Sequence, residues 1–136
     1  MHKNSEGYND PTAGIAMSHL MQEFRHNQRR KYAIRNRKKV YVASKFSGDE
    51  AKNTKAAISY CREVIDQGYL PVASHLLYPQ ILDDHDAEER EIGLQFGMAL
   101  LAVCDELWVF GDISPGMERE IQEAERLKKR IRYVKE

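Results

Sequence analysis

Four short apolar runs are spaced along the chain from residue 40 onward. Val40–Ser44 is β-branched and aromatic, and Leu70–Ala73, Leu107–Phe110 and Ile131–Val134 follow it. Short apolar runs of this kind, bounded by turn residues, are typical of strands buried on both faces of a sheet. The pattern therefore predicts a sheet of four to five strands.

Segments with helical spacing of their apolar positions lie between these runs. They are Ala51–Gln67, which Gly68 closes in the usual position, Ala87–Val103, and Glu118–Lys129. Strands that alternate with helices of ten or more residues imply right-handed crossovers and a parallel sheet covered on both faces. We therefore expect an α/β fold, a Rossmann-like doubly wound parallel sheet flanked by helices.

The first 38 residues form a separate segment in this interpretation, and the α/β domain covers residues 39–136. Residues 1–10 are polar and are expected to be disordered or loosely held. Asp10 followed by Pro11 predicts the start of an extra N-terminal helix. The apolar positions of that helix form an uneven stripe, made of Ile15, Leu20, Met21 and Phe24.

The net charge of zero conceals an uneven distribution of charged residues. Residues 25–39 hold eight Lys or Arg and no acid, whereas residues 40–136 carry an acidic excess. The basic block suits a solvated helix face, a contact with a second copy or a phosphate, or a nucleic-acid contact. No apolar run is long enough to span a bilayer and no signal peptide opens the chain, so we expect a cytoplasmic protein without a membrane partner.

The cysteines and the acidic loop offer little sign of a metal site. Cys61 and Cys104 lie in apolar segments and are expected to be buried free thiols. Paired-cysteine spacing with histidines is absent, which argues against structural zinc. His85 lies among Asp83, Asp84 and Asp86 in what we interpret as a solvated acidic loop. We expect neither a metal nor a cofactor.

Residues 105–124 contain the most informative stretch of the sequence. A buried strand ends at Phe110, a polar turn runs from Gly111 to Gly116, and a helix carrying Glu118 and Glu120 follows. Such a helix start directs free amide N–H groups and the positive end of the helix dipole toward an anion. The alternative is an ordinary strand-to-helix connection with surface glutamates.

Three loops are expected to meet in one crevice, because ligands of doubly wound sheets bind beyond the carboxyl ends of the strands. They are Ser44–Asp49, Ser74–Gln80 and Gly111–Glu120. His75 is either a functional or a hydrogen-bonded structural histidine. Arg90 is the one cation near the acidic loop and is a candidate to bind a phosphate or a carboxylate. Asp105 is expected to have a structural, capping role.

Glu118 and Glu120 compete for a single place in this crevice. Residues two positions apart do not share a helix face, so only one of the two carboxylates is expected to point inward.

Four motifs give the sequence a family resemblance. They are Val-Tyr-Val-Ala-Ser-Lys-Phe at 40–46, Leu-Pro-Val-Ala-Ser-His at 70–75, Cys-Asp-Glu-Leu-Trp-Val-Phe at 104–110, and Ser-x-Gly-Met-x-x-Glu at 114–120, with Ala124 four residues later. In order and spacing they resemble the nucleoside 2-deoxyribosyltransferase-like proteins, part of the SLOG group of Rossmann-like nucleotide-binding folds. The likeness covers about residues 39–134. The Asn-Asp-Pro-Thr-Ala opening is similar to segments of small phage and mobile-element proteins.

The resemblance implies a pocket for a nucleoside or nucleotide. Glu120 matches the family nucleophile, which attacks the anomeric carbon while the base leaves, and covalent capture of this kind divides one difficult displacement into two easier ones. Glu118 is then the solvated carboxylate. The expected ligand-binding residues are Phe46 against the base, Ser114, Gly116 and the Met117 amide toward the sugar or a 5′-phosphate, and Ser44, Ser47, Gly48, His75, Tyr78 and Arg90 around them.

Departures from the family pattern leave alternatives open. Gly97 occupies the position of an aspartate that the transferases carry on the preceding helix, and Asp112 or Asp86 is expected to substitute as an acid. The family's asparagine comes from a C-terminal extension of a neighbouring subunit, whereas this sequence stops two residues after its last predicted strand. We expect cleavage or exchange at an N-glycosidic bond, by transfer or hydrolysis. The alternatives are a non-catalytic nucleotide sensor or sequestering protein and a nucleic-acid-contacting regulator.

Self-association is also expected. The family often completes its pockets across a subunit interface, and the N-terminal helix has no obvious partner in the sequence. A homo-oligomer is therefore predicted.

Overall fold

A computed structural model describes residues 11–135 of the chain. The polar segment 1–10, including the predicted Asp10 cap, lies outside the described residues. The chain divides into two compact units, one ending at Arg37 and the other beginning at Lys38. Each unit is described by itself below.

The first unit contains a single described helix, α1, which spans Pro11–Arg35. It is 25 residues long. Its apolar side chains are exposed, namely Ile15, Met17, Leu20, Met21 and Phe24. None of the helices in residues 11–135 is long and apolar enough to cross a membrane.

The second unit alternates strands with helices. Its elements are β1 (Lys39–Ala43), α2 (Glu50–Asp66), β2 (Leu70–Val72), α3 (Ala87–Val103), β3 (Glu106–Phe110), α4 (Pro115–Arg126) and β4 (Arg130–Val134), with two 3-10 turns at Ser74–Leu76 and Tyr78–Gln80. The four strands form one parallel sheet in the order β2-β1-β3-β4. This architecture confirms the predicted α/β Rossmann-like fold with an N-terminal helix.

Alternate residues of the central strands face opposite layers. On one face, Val40 and Val42 pack with Val64 of α2, and Trp108 and Phe110 complete this cluster. The other face is covered by α3 and α4, and its buried cluster comprises Tyr41, Ala43, Leu101, Cys104, Leu107, Val109, Met117, Ile121 and Ala124. Tyr41 therefore points to the face of the sheet that α3 and α4 cover, which is also the face on which the candidate site lies.

Two helices end in left-handed residues. Gly68, at φ +93°, follows α2, and the amide of Tyr69 donates to the carbonyl of Val64 at 3.1 Å. This is the closure predicted from Gly68, which adopts positive φ without a steric penalty. The same arrangement ends α4, but there Lys128 occupies the left-handed position at φ +57°.

Helix α4 begins three residues earlier than the pattern of acidic residues suggested. Ser114 Oγ accepts the amide N–H of Met117 at 3.3 Å, and Pro115 follows at the first helical position. Ser before Pro is a strong helix-start signal, because the hydroxyl accepts a free amide and proline needs no donor there. The earlier start places Glu120 in the second turn of α4.

Candidate active site

The sheet order places a crevice at the carboxyl ends of β1 and β3. The chain winds from β1 to β2 in one direction and from β3 to β4 in the other, so the winding reverses between β1 and β3. A cavity of about 530 Å³ lies on the α3 and α4 side of this point. Three of its predicted lining residues, Phe46, His75 and Tyr78, come from the connections after β1 and β2.

Glu120 is the acidic side chain that α4 contributes to the cavity. Burial raises the pKa of its carboxyl group to about 7, and the interaction with the Tyr41 hydroxyl partly opposes this shift. The carboxyl group therefore titrates much closer to neutral pH than an ordinary glutamate does. A carboxyl group with such a pKa serves either as a nucleophile or as an acid and base.

Tyr41 connects the Glu120 carboxyl to the turn after β2. Its hydroxyl lies 2.6 Å from Ser74 Oγ and lines the same cavity as the Glu120 carboxyl, with which it interacts electrostatically. Burial, and then the charge of Glu120, raise the pKa of the Tyr41 hydroxyl far above its ordinary value. The phenol thus stays neutral and available as a donor to the carboxylate.

Gly97 on α3 makes room for this hydrogen-bonded group. A Cβ atom at this position would lie 3.3 Å from the Tyr41 hydroxyl oxygen and 3.5 Å from Ser74 Oγ. Gly93, one turn earlier on α3, is also close to a neighbour, since a Cβ there would lie 3.4 Å from the side chain of Leu82. The Tyr41 hydroxyl therefore occupies the space into which a side chain at position 97 would extend.

A second side-chain pair fixes His75 in the cavity. Ser44, which is buried at the end of β1, places its Oγ 2.9 Å from Nε2 of His75. Burial lowers the pKa of the imidazole below its ordinary value of 6.5, so the ring is neutral at pH 7. Ser44 itself lies behind the histidine and not among the residues that line the cavity.

The start of α4 differs from the expectation for a sugar or phosphate contact. The Met117 amide donates to Ser114 Oγ, and the Met117 side chain is fully buried in the core. The Met117 amide is therefore engaged in capping the helix and its side chain in the core, so neither is free to bind a ligand. Gly116 does line the cavity, next to Arg119 of the same helix turn.

Three other predicted residues lie away from the cavity. Asp112, Ser47 and Gly48 are exposed and absent from its lining. The role of Asp112 as an acid is not supported, because the turn after β3 carries it outside the crevice. Gly48 instead provides a positive φ of +101° just before α2.

The acidic segment before α3 has mainly structural contacts. Asp86 caps α3 by accepting the amides of Glu88 and Glu89, which replaces the acid role considered for it.

Asp105, which follows α3, also has a structural contact. Its Oδ2 accepts the amide of Lys39 at 2.7 Å, the structural role predicted for it. Among residues 11–135, no three His, Cys, Asp or Glu side chains are grouped closely enough to hold a metal ion.

Comparison of the sequence with known families now gives a decisive match. Residues 38–134 match the family described as "Domain of unknown function (DUF7768)". The chain belongs to the DUF7768 family. No curated protein sequence matches the chain.

The fold of this DUF7768 protein is shared with solved structures. Eight chains of solved structures are similar to it, among them a 2-deoxyribosyltransferase from the psychrotolerant bacterium Bacillus psychrosaccharolyticus. That structure aligns with a TM-score of 0.59 and 15% sequence identity, and the alignment covers 70% of each chain. At this identity the likeness shows a deoxyribosyltransferase-like fold.

Sequence reasoning missed three residues of the DUF7768 cavity. Tyr41 and Ser74 were interpreted only as parts of a strand and a loop, and Arg119 was not considered. Arg119 and the predicted Arg90 both line the cavity. The position of Arg119 next to Glu120 could be read from the sequence. The proximity of Tyr41 to Glu120 could not, because it depends on how α4 packs on the sheet.

Proposed function

We propose that this protein binds a nucleoside or nucleotide and cleaves or exchanges its N-glycosidic bond, with Glu120 as the nucleophile. The observation that carries the proposal is the half-buried Glu120 carboxyl, which interacts with the Tyr41 hydroxyl and lines a cavity at the switch point of the sheet. The cavity volume of about 530 Å³ is within the range of small-molecule sites.

In the proposed reaction, the ionised Glu120 carboxylate attacks the anomeric carbon and the base leaves with the bonding electron pair. The neutral Tyr41 hydroxyl donates to the carboxylate and orients one of its oxygens. Phe46, which lines the same cavity, provides an apolar ring for stacking against the base. A water molecule or a second base then takes the sugar from Glu120.

The deoxyribosyltransferase-like fold supports this choice of substrate class. A similar fold alone does not specify a reaction, so the argument depends on the residues in the cavity. The half-buried carboxyl at position 120 is the group in this cavity that best suits an oxocarbenium-like transition state, because its charge opposes that of the sugar.

The test is to incubate the protein with a panel of nucleosides and nucleoside 5′-monophosphates and to follow free base by chromatography. We expect release from at least one member of the panel and its loss in Glu120→Gln. Glu118→Gln is the matched control, because Glu118 is an exposed carboxylate in the same helix turn. Failure of the whole panel, or release that survives Glu120→Gln, contradicts the proposal.

A second candidate is binding without turnover, and Gly97 favours it. This position supplies no side chain toward the cavity, so the acids that α3 contributes, Glu89 and Glu91, come only from its first two turns. In that case a nucleotide raises the unfolding temperature of the protein and is recovered intact. Release of free base from the bound nucleotide would exclude this candidate.

We further propose that the chain forms a homo-oligomer through α3. Ile92, Phe96 and Val103 are exposed on this helix at spacings of four and seven residues, which align them along one stripe. Light scattering after size exclusion tests this, with Phe96→Glu expected to dissociate the assembly. A monomeric mass at every concentration contradicts it.

A further inference from the structure

We propose that His75 is the general base of a hydrolytic second step, in which it activates water against the sugar held on Glu120. This inference rests on the proposed function and extends it, because it selects water over a second base as the acceptor. It assigns to His75 a catalytic contact with the reacting water.

The position of His75 is fixed by two hydrogen bonds between neighbouring segments. Ser74 Oγ lies 2.6 Å from the Tyr41 hydroxyl, and His75 Nε2 lies 2.9 Å from Ser44 Oγ. Two successive residues of the 3-10 turn after β2 therefore hydrogen-bond Tyr41 in β1 and Ser44 just after it. A base held in this way keeps its orientation toward a reacting group in the cavity.

The Ser44 contact occupies Nε2 of the ring and leaves Nδ1 as the other ring nitrogen. When Nε2–H donates to Ser44 Oγ, the lone pair is on Nδ1 and is free to accept a proton. Among residues 11–135, no other side chain hydrogen-bonds this ring. Because burial keeps the imidazole neutral at pH 7, the ring acts as a base without first losing a proton.

Other charged groups face the same cavity from the surrounding elements. Asp84 approaches from the segment before α3, Glu89, Arg90 and Glu91 from the first turns of α3, and Arg119 and Glu120 from α4. Asp84 and Arg90 are exposed, so water screens their effect on the ring. Glu91 accepts a hydrogen bond from the exposed Gln95 at 2.9 Å and is itself exposed, whereas His75 is held by the buried Ser44, which favours His75 as the positioned base.

The step balances in atoms and electrons. The water oxygen forms a bond to the anomeric carbon, and the bond from that carbon to the Glu120 oxygen breaks, with its electron pair returning to the carboxylate. Nδ1 of His75 takes one water proton during the attack and later releases it to solvent. The products are the free sugar and the original Glu120 carboxylate.

The experiment compares His75→Gln with the wild-type protein on a substrate whose base the wild type releases. Glutamine keeps a hydrogen-bonding group toward Ser44 but provides no base. We expect a burst of about one base per active site, followed by turnover roughly 10²- to 10⁴-fold slower than wild type. Azide, which attacks without losing a proton, is expected to restore turnover and give a glycosyl azide.

Two further variants separate a chemical role from a structural one. His85→Gln is the matched control, because His85 is exposed and does not line the cavity, and it is expected to behave as wild type. Ser44→Ala removes the orienting partner of His75 and is expected to slow the phase after the burst while the burst itself remains. Circular dichroism melting checks that each variant is folded.

The outcomes distinguish this inference from the proposed function. Undiminished multiple turnover in His75→Gln overturns the inference alone. Loss of both burst and turnover in the folded variant also overturns it, because His75 would then act in the first step. Absence of base release by the wild type contradicts the proposed function and, with it, this inference.

Discussion

The hydroxyl of Tyr41 on β1 interacts with the half-buried carboxyl of Glu120 on α4 and lowers its pKa, against the larger effect of burial. This interaction joins the centre of the sheet to the candidate nucleophile and stabilises the ionised form of the carboxyl group. Changes to either group are therefore expected to alter the other.

Tyr41→Phe removes the donor and is expected to raise the pKa of Glu120 above about 7. Less carboxylate is then present at neutral pH, so the midpoint of the rising pH-rate profile moves to higher pH and activity at pH 7 falls by about tenfold. The measurement is kcat/KM against pH. Tyr133→Phe, at an exposed tyrosine of β4, is the control, and an unchanged midpoint in Tyr41→Phe would refute the link.

Glu120 is also expected to reduce stability in alkaline conditions. Its folded pKa of about 7 exceeds the reference value of 4.5, so the folded state favours the protonated form. Stability is fully retained below about pH 4.5 and is lost as pH rises through about 7. Glu120→Gln removes this loss and is expected to be more stable than wild type by up to about 3 kcal/mol at pH 8.

Urea unfolding at about pH 5 and pH 8 measures this difference between Glu120→Gln and wild type. The stabilisation should be small at the lower pH and large at the higher one. Glu118→Gln provides the comparison at an exposed carboxylate and should show little change at either pH. Equal effects of Glu120→Gln at both pH values would show that ionisation of the carboxyl group does not destabilise the folded state.

Gly97→Ala is expected to disturb the Tyr41 and Ser74 pair. The added Cβ would lie 3.3 Å from the Tyr41 hydroxyl oxygen, which must shift by a few tenths of an ångström. Alanine gains about 1 kcal/mol in a helix interior, so stability changes little while ligand affinity and activity fall. Gly93→Ala is the control, because its neighbour is the flexible end of Leu82. Equal activity of the two variants would contradict this role of Gly97.

Lys128→Gly is expected to stabilise the protein by up to about 1 kcal/mol. Lys128 holds the left-handed position after α4 at φ +57°, where a side chain is disfavoured and glycine is not. Gly68→Ala tests the same principle in the opposite direction, with a loss of about 1 kcal/mol at φ +93°. Thermal unfolding measures both, and destabilisation by Lys128→Gly would count against the interpretation.

Much of the fold could be predicted from local patterns. The strands and α3 follow from continuous apolar runs and from a clean helical period, and Gly68 marks the end of α2 by its conformational freedom. The start of α4 was placed three residues late because the acidic residues outweighed Ser114 and Pro115 in the interpretation. The start of a helix is set by its capping group, which in α4 is the single hydroxyl of Ser114.

The candidate site could be predicted only in part. The crevice follows from the parallel winding, and Phe46, His75, Tyr78, Arg90, Gly116 and Glu120 all line the cavity. Asp112 was wrongly expected there, because the direction of a short turn is not encoded in its residue types. Tyr41 was missed, because a buried aromatic residue in a strand is usually only core and its hydroxyl partners come from distant segments.

Covalent labelling of Glu120 tests the account most directly. The protein is mixed with a nucleoside or nucleotide whose base it releases, quenched in acid within one turnover, digested, and analysed by mass spectrometry. We expect the peptide containing Glu120 to gain the mass of the sugar moiety, and the corresponding peptide of Glu120→Gln to remain unmodified. A modification on Glu118 instead, or none on any peptide during active turnover, would contradict it.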